Sequence, residues 1–533
     1  MKAHDQGVFA HDGSLEGDYE VLPYPSMPFA YTQPAHLAAL AALFGVETAA
    51  AERARVLELG CASGGNLVPL AARFPHARFL GVDLSRRHID DGRRRIAALG
   101  ISNVEIRQAD LTELTWSGEQ FDYVICHGVF SWVPKPAQDA IFRICRDTLA
   151  PDGVAAISYN VLPGWHLRQI VRDICLYHVS TEGTPQARVA AARRALDLIA
   201  QSASDSEPYG LLLRNEAKRI AGLPASYILG EFLAPNNAPC YFHEFVAWAE
   251  QWGLSYLCEG ALGASISETL FPQTESRLRA VAGTNWLALE QCKDFFSGRP
   301  FRRSILTRTG HAPGAATKPT SDRLRTLHVT SRLQTDPAQT TVQASVYKDA
   351  RGRAVTAKDP AVRNALANLA KAYPASVPVL ELLEASAAGS EGLNDAKFGA
   401  RVCNALFTLI AAGQAGISAV PQKTGLAMAE RPCVWSVARI EAASGQRWVT
   451  NLHHDPIALH PVAAALLPHV DGTNDRRKLQ SVLANAIQSG AISVPALQDG
   501  GLESAGLEAL TARQVDQTLN YLAMNALLAS SVE

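Results

Sequence analysis

Hydrophobic and polar positions in the first third of the chain form short apolar runs separated by longer amphipathic stretches. The apolar runs have strand length and lie at residues 55–59, 77–82, 103–109, 121–126 and 153–159. Helical periodicity covers the stretches between them, at 65–73, 85–99 and 136–149. Strands that alternate with helices of this length predict βαβ units and a parallel sheet.

The pattern becomes mainly helical after Gly164. Residues 165–250 have the spacing of amphipathic helices and few strand signals. Two later runs, LSYLC at 254–258 and FRRSIL at 301–306, have strand character and can return to the first sheet. The fold class predicted is therefore α/β, with a Rossmann-like seven-stranded core and a helical insertion after its fifth strand, followed by two small helical or winged-helix-like C-terminal domains.

A stretch rich in Gly, Pro, Thr and Ala at 308–325 indicates a linker. Short β segments follow at 326–356, then helical periods at 360–372, 377–386 and 395–412 and a strand at 415–420, an order typical of a winged helix. We expect four parts: a Rossmann-like core with an N-terminal cap at 1–164 and 251–307, a helical insertion at 165–250, a winged-helix-like middle domain at 326–425, and a small helical domain at 430–533.

Composition and charge exclude several protein classes. The chain has 533 residues, of which 47% are hydrophobic and 19% charged, as in ordinary globular proteins. A formal net charge of −2 gives no overall field that would attract nucleic acid or an anionic membrane. Nine cysteines without a CxxC pair favour a reducing cytosol. No apolar run suits a membrane span or an export signal, so we expect a cytoplasmic protein.

The first predicted strand runs into a glycine-rich turn, VLELGCASGGN at 56–66. Small residues let the backbone approach a ligand, and the following helix presents free N–H groups. Asp83 and Asp110 end the next two strands, at the edge of a parallel sheet where ligands bind. Either acid alone also fits a helix N-cap. Together with Glu58 they favour a nucleoside site.

The composition of the turn discriminates among nucleosides. No lysine follows Gly64, as it would in a phosphate-binding loop, and Ala62 stands where a dinucleotide fingerprint has its middle glycine. Glu58 at the start of the loop is unfavourable beside a pyrophosphate. It suits a ligand that carries an ammonium group and no phosphate, and S-adenosylmethionine is such a ligand.

The motifs ELGCASGGN, GVDLS, QAD, FDYVICHGVFSWV and LAPDG resemble, in order, those of class I S-adenosylmethionine-dependent methyltransferases. YEVLPYPSMPFAYTQPAHLAALAALFG upstream, with YILGEFLAPNNAPCYFHEFVAWA at 227–249, is similar to bacterial methyltransferases that carry a methyltransferase regulatory domain. That group includes the rickettsial outer-membrane-protein lysine methyltransferases. The resemblance covers 19–306 and extends only loosely to the C-terminal parts.

This resemblance implies a set of cofactor-binding residues: Glu58, Gly60, Cys61, Ala62, Gly64, Asn66, Asp83, Leu84, Asp110, Leu111 and His127. In that arrangement the loop at 58–64 lines the methionine end of S-adenosylmethionine. Asp83 binds the ribose hydroxyls and Asp110 the adenine amine.

The acceptor side is expected where the loop after the fourth strand meets the end of the fifth, with Tyr159 in its wall. The candidate catalytic residues are His127, Tyr19, Tyr24, Asn160 and Trp165. In-line methyl transfer needs alignment more than a covalent group, and a dry, tyrosine-lined channel favours a neutral lysine amine. His127 is either a general base or a polar residue under the adenosine. Trp165 is either a substrate platform or a core aromatic.

No metal site is predicted. His453-His454-Asp455 lacks a second ligand cluster at suitable spacing, so an exposed turn is expected there. The basic runs at 93–95 and 302–303 are explained by a solvated helix face and a strand edge. The loop CHGVF lacks the prolines of the (N/D)PP(Y/F) loop found in DNA amino-methyltransferases, which disfavours nucleobase methylation.

Three functions stay open at this point. The leading hypothesis is a protein lysine N-methyltransferase that forms a homodimer through the leucine-rich insertion. The first alternative is a small-molecule methyltransferase acting on a metabolite. The second is a cofactor-sensing winged-helix regulator, against which the near-neutral charge and the few basic residues at 377–412 argue.

Overall fold

The protein is described from a computed structural model, which covers residues 21–22, 24–116, 118–179, 183–265, 271–311, 318–387, 396–492 and 504–530. A seven-stranded sheet lies at its centre. Its strands are β1 (Arg55–Leu59), β2 (Arg78–Asp83), β3 (Val104–Gln108), β4 (Phe121–Cys126), β5 (Leu149–Asn160), β6 (Leu254–Glu259) and β7 (Phe301–Arg308).

The strand order is β3-β2-β1-β4-β5-β7-β6, and β7 runs antiparallel to both of its neighbours. The first five strands pair in parallel. The predicted seven-stranded Rossmann-like core is confirmed, including the return of the last two strands. Because the order reverses between β1 and β4, the crevice at their carboxyl ends is where a ligand is expected.

Helices cover both faces of the sheet. They are α1 (Pro34–Leu43), α2 (Leu67–Arg73), α3 (Arg86–Leu99) and α4 (Lys135–Thr148). Local signals set the ends of α3, since the hydroxyl of Ser85 accepts the N–H of His88 and Gly100 ends the helix at φ 65°. Alternate residues of β1 face the two cores, with Val56 in one and Leu57 in the other.

The insertion between β5 and β6 is helical, as predicted from its periodicity. It consists of α5 (Trp165–His178), α6 (Pro185–Ser202), α7 (Pro208–Ala221) and α8 (Ala225–Phe232), before α9 (Phe242–Gln251) returns to the sheet. The insertion has its own apolar core, which includes Val171, Val189, Leu196, Leu213 and Ile228. After β6 come α10 (Leu262–Ser265), α11 (Pro272–Ala282) and α12 (Trp286–Ser297).

The Arg302 side chain is 1% exposed, so its prediction as part of a strand edge is wrong. Strand β7 lies between β5 and β6, and the Arg302 side chain faces α12, the helix that precedes β7. Its guanidinium bonds Asp294 at 2.8 and 3.0 Å and Glu259 at 2.7 Å, and it lies 3.4 Å from Glu290. Phe242 covers its other side at 3.8 Å from ring centroid to guanidinium carbon. A buried ion network thus ties α12 to β6 and β7.

Residues 308–325 are only partly a linker. Arg308 ends β7, and residues 321–326 form a 3-10 helix docked on α1, where Arg323 donates to the Leu43 carbonyl at 3.1 Å. The elements that follow are β8 (His328–Thr330), β9 (Gln334–Thr335), β10 (Ser345–Lys348), β11 (Ala354–Ala357), α13 (Pro360–Ala372), β12 (Val377–Pro378), α14 (Val379–Ala387), α15 (Ala396–Ala411) and β13 (Gly416–Ser418). They form two three-stranded sheets packed with helices.

The C-terminal part contains α16 (Ser436–Ala443), β14 (Trp448–Thr450), β15 (Pro456–Ala458), α17 (Pro461–Leu466), α18 (Arg476–Gln488) and α19 (Ser504–Met524). Strands β14 and β15 form a hairpin, whose tip at residues 451–455 we call the 451–455 turn. The prediction of an exposed turn here is wrong, because His454 is 2% exposed. The turn packs against the N-terminal end of α1, where Gln33 donates to the carbonyl of His453 at 2.9 Å.

Within the ranges given above, no helix combines the length and apolar character that a bilayer crossing needs. In the same residues, no group of three or more His, Cys, Asp or Glu side chains is arranged to hold a metal ion.

Candidate active site

The glycine-rich turn after β1 is held in left-handed conformations. Gly60 and Gly64 have φ values of 72° and 71°, and Ala62 reaches 46° although it carries a Cβ. The strain at Ala62 is offset because its N–H donates to Asp83 Oδ2 at 2.8 Å. A Cβ at Gly60 would lie 2.3 Å from Val129, in the loop after β4. The turn is therefore closed tightly between two strand ends.

Asp83 is the second group of the site. Its Oδ1 accepts the N–H of Ser85 at 3.0 Å and lies 3.5 Å from His88 Nδ1. The next residue, Leu84, leaves 53% of its surface exposed at the carboxyl edge of the sheet. This pair fits a nucleoside, because the carboxylate of Asp83 can bind the ribose hydroxyls and the exposed side chain of Leu84 can pack against the base.

Asp110 and Leu111 lie in the turn after β3. The carboxylate of Asp110 is exposed and accepts the N–H and hydroxyl of Thr112 at 2.8 and 2.7 Å. This is the capping arrangement that the sequence also allowed. Oδ1 of Asp110 therefore already accepts two hydrogen bonds within the turn. If Asp110 binds the adenine amine, as predicted, Oδ2 would be the acceptor.

Glu58 at the end of β1 is 4% exposed, and its Oε1 accepts the amide of Asn66 at 2.9 Å. Its Oε2 is buried and has no hydrogen-bond partner among the described residues. Burial raises the pKa of Glu58 to about 8, with a smaller contribution from Asp83. A buried acceptor without a donor fits the ammonium group of S-adenosylmethionine, which would fill the missing bond.

Cofactor binding is therefore expected to release a proton near pH 7. Without ligand, Glu58 is largely protonated at pH 7 because its pKa is about 8, and a neighbouring ammonium favours the ionised form. Affinity should rise from pH 6 to pH 8, and titration calorimetry in two buffers of different ionisation enthalpy should show the release. Glu58→Gln removes the titrating group and serves as the control. Equal heats in both buffers for the unmodified protein would contradict this role for Glu58.

Asn66 joins the glycine turn to two distant parts of the chain. Its side chain is 3% exposed, and Nδ2 donates to Glu58. Its Oδ1 accepts the N–H of Phe29 at 2.9 Å and the hydroxyl of Thr32 at 3.0 Å, and lies 2.8 Å from His454 Nε2. Sequence reasoning placed Asn66 at the site but missed these three partners, which are distant along the chain and carry no local motif.

His127 follows β4 and is enclosed by aromatic rings. The Phe29 ring lies 3.7 Å from it between centroids, and the Tyr31 hydroxyl lies 2.7 Å from Nδ1. Burial, and then the charge of Arg303, lower the pKa of His127 to about 3. His127 is therefore neutral at pH 7. Tyr31, which the sequence reasoning did not single out, is its direct partner.

Asn160 and Trp165 lie at the end of β5 and the start of α5. Both are buried, and the described residues give no partner to Asn160 Nδ2 or Trp165 Nε1. The amide of Asn237, in the loop before α9, is unpartnered in the same way. Ser131 brings these loops together, since its hydroxyl accepts the Asn160 N–H and its carbonyl that of Ala238, each at 2.8 Å.

The tyrosines expected to close the acceptor side have different positions. Tyr24 lies against the insertion, with its ring centroid 6.0 Å from that of Tyr227 in α8. Tyr159 stacks on Phe245 at 3.8 Å inside the core, and its side chain does not line a channel. Tyr19 lies outside the described residues.

Comparisons with known proteins assign this geometry to a family. Residues 56–153 match the family described as "Methyltransferase domain", residues 224–308 match "Predicted methyltransferase regulatory domain", and residues 430–527 match "PKMT, C-terminal winged helix domain". The winged helix therefore lies in the last predicted part, and this agrees with the predicted fold class of small helical or winged-helix-like C-terminal domains. A winged-helix-like character for 326–425 stays a prediction.

Relatives extend the match over almost the whole chain. An uncharacterised protein of Rickettsia prowazekii (strain Madrid E) is 30% identical over 488 residues, covering 89% of this chain and 87% of the relative. A second protein of that organism is 37% identical over 234 residues, covering 44% of this chain and 94% of the relative.

A solved structure matches as well. PKMT2 from Rickettsia typhi, in complex with AdoHcy, has a TM-score of 0.84 at 27% identity and covers 95% of this chain and 100% of that chain. AdoHcy is the product that S-adenosylmethionine leaves after it has given up its methyl group. It carries an ammonium group and no phosphate, as predicted for the ligand of the turn that Glu58 begins. The chain belongs to the family of S-adenosylmethionine-dependent methyltransferases that combine a methyltransferase regulatory domain with a C-terminal PKMT winged helix.

Proposed function

We propose that this methyltransferase transfers methyl groups to lysine side chains of proteins. A cavity of about 800 Å³ at the carboxyl edge of the sheet carries the proposal. Its walls come from the N-terminal segment, the end of β6 and both parts of the chain beyond the linker; they include Phe29, Tyr31, Gly260, Arg303, Tyr373 and Pro456. A cavity of this size, shared among distant segments, suits a side chain presented on a polypeptide.

The cavity is connected to the cofactor side through two aromatic residues. Phe29 and Tyr31 line it and also contact His127, at the end of β4. The similarity to PKMT2 and the sequence resemblance to rickettsial-type lysine methyltransferases support the same acceptor. The nine cysteines are all free thiols, which supports action in a reducing cytosol.

The surroundings favour the neutral form of an incoming amine. S-adenosylmethionine supplies a methyl group on a sulfonium, and the amine lone pair must be free to form the new C–N bond as the C–S bond breaks. Burial and the charge of Arg303 already lower the pKa of His127, and both effects act in the same direction on a lysine amine. Neutral His127 and the unpartnered amide oxygen of Asn237 would accept its N–H groups and aim it.

The acceptor class is tested by incubating the enzyme and tritiated S-adenosylmethionine with separated protein, lipid and small-metabolite fractions of a cell extract. We expect label in the protein fraction. Label confined to small molecules would overturn the proposal and favour a metabolite methyltransferase. Heat-treated enzyme, incubated in parallel, corrects for non-enzymatic transfer.

We further propose that the helical insertion forms a homodimer contact. Five large hydrophobic side chains on its helices are at least half exposed: Leu167, Tyr177, Leu198, Tyr209 and Leu211. Apolar side chains left exposed on one small unit are typical of an association surface. Light scattering should give the mass of a dimer, and a double Leu198→Lys, Tyr177→Lys variant should be monomeric. A monomer for the unmodified protein would refute the contact.

A further inference from the structure

The 451–455 turn of the C-terminal winged helix reaches the cofactor-binding turn of the core. His454 has a φ of 63°, a left-handed conformation that a residue with a Cβ adopts only when its surroundings require it. Its ring is buried and places Nε2 at 2.8 Å from Asn66 Oδ1. The backbone strain and the hydrogen bond together aim this one side chain at Asn66.

The direction of this hydrogen bond follows from its neighbours. The amide nitrogen of Asn66 donates to Glu58, so Oδ1 faces the other way and can only accept. His454 therefore carries its hydrogen on Nε2. Burial lowers the pKa of His454 to about 3, so the ring donates as a neutral imidazole. A continuous relay runs from His454 through Asn66 to Glu58.

The rest of the turn is anchored independently of Asn66. Arg73 donates to the carbonyl of Leu452, and Gln33 donates to that of His453. The ring of His453 bonds a different part of the chain, with Nε2 at 2.8 Å from the carbonyl of Pro374. The two adjacent histidines thus have separate partners: buried His454 bonds the glycine-rich turn, and partly buried His453 bonds Pro374, between α13 and β12.

We propose that His454 is a positioning residue for the cofactor site, so that docking of the winged helix and binding of S-adenosylmethionine are coupled. The donor on His454 holds Asn66 in the orientation that presents Glu58 to the ligand. Because coupling between two binding events is reciprocal, cofactor binding in turn stabilises the docked winged helix. The inference concerns the cofactor site and holds whatever the acceptor is.

The test compares three variants of the full-length protein by titration calorimetry with S-adenosylmethionine. His454→Ala removes a buried donor and should weaken binding about tenfold. His454→Gln places an amide N–H at nearly the distance of Nε2 and should recover most of the affinity. His453→Ala removes the neighbouring, partly buried ring, which bonds Pro374 and not Asn66, and should leave the cofactor affinity within about twofold of the unmodified protein.

A second readout needs no variant. In the unmodified protein, S-adenosylmethionine should slow hydrogen exchange at residues 448–458 as well as at the glycine turn, and in His454→Ala the slowing at 448–458 should be lost. The proposal is overturned if His454→Ala binds normally, if His453→Ala weakens binding as much, or if the ligand leaves exchange at 448–458 unchanged.

Discussion

Replacing Asp83 with alanine is expected to weaken S-adenosylmethionine binding by at least about a hundredfold, because each hydrogen bond to a charged carboxylate contributes about 1.5–3 kcal/mol. Two functions are lost together. The ribose hydroxyls lose their acceptor, and the N–H of Ala62, held at φ 46°, loses the oxygen that it donates to at 2.8 Å. Titration calorimetry measures the loss directly.

Two further variants separate charge from folding. Asp83→Asn keeps one oxygen for the N–H of Ala62 but removes the charge, so its affinity is expected to lie between that of Asp83→Ala and that of the unmodified protein. Asp90→Ala changes an exposed acid of α3 and should bind normally. Without ligand, Asp83→Asn and Asp90→Ala should melt at similar temperatures, and Asp83→Ala should melt somewhat lower because the N–H of Ala62 has lost its acceptor. With ligand, only Asp83→Ala should lack the rise in melting temperature. Unchanged affinity in Asp83→Ala would remove Asp83 from the site.

Replacing Arg302 with alanine is expected to lower the free energy of unfolding by about 3–5 kcal/mol, since it leaves buried charges without their partner. Asp294 and Glu259 both bond the guanidinium, and all three side chains are buried. We expect the contacts between α12 and the sheet to be the first that the variant loses on unfolding. Chemical denaturation followed by circular dichroism measures it.

The neighbouring arginine provides the matched control. Arg303 is exposed on the same strand, so Arg303→Ala should change the free energy of unfolding by less than about 1 kcal/mol. A loss below about 1 kcal/mol in Arg302→Ala would show that the network contributes little. Equal losses in the two variants would point to the strand itself and not to the buried charges.

The sheet, the glycine-rich turn after β1 and the identity of the cofactor could be predicted because their signals are local. Apolar runs of strand length gave the bounds of β1 and β4 to the residue, and the composition of the turn from Glu58 to Gly64 indicated a phosphate-free nucleoside. The return of β6 and β7 was also predictable, since each contains a short segment with strand character. Sites formed by neighbouring residues of one strand or turn can therefore be predicted from the sequence.

The parts that could not be predicted depend on contacts between distant segments. His453 and His454 look like a polar loop because local composition says nothing of a partner 388 positions away, at Asn66. Arg302 looks solvated because its acids come from α12 and β6, whose approach only the tertiary fold creates. The same reason hides Tyr31, whose role appears only beside His127.

Lysine as the methyl acceptor is tested most directly by amino-acid analysis of protein labelled by this enzyme with tritiated S-adenosylmethionine. After complete acid hydrolysis, we expect the label to elute with methylated lysine, and we expect Asp83→Ala to give none. Label in methylarginine, or label lost as volatile methanol on mild base treatment as from a carboxyl ester, would contradict lysine as the acceptor while leaving the cofactor assignment in place.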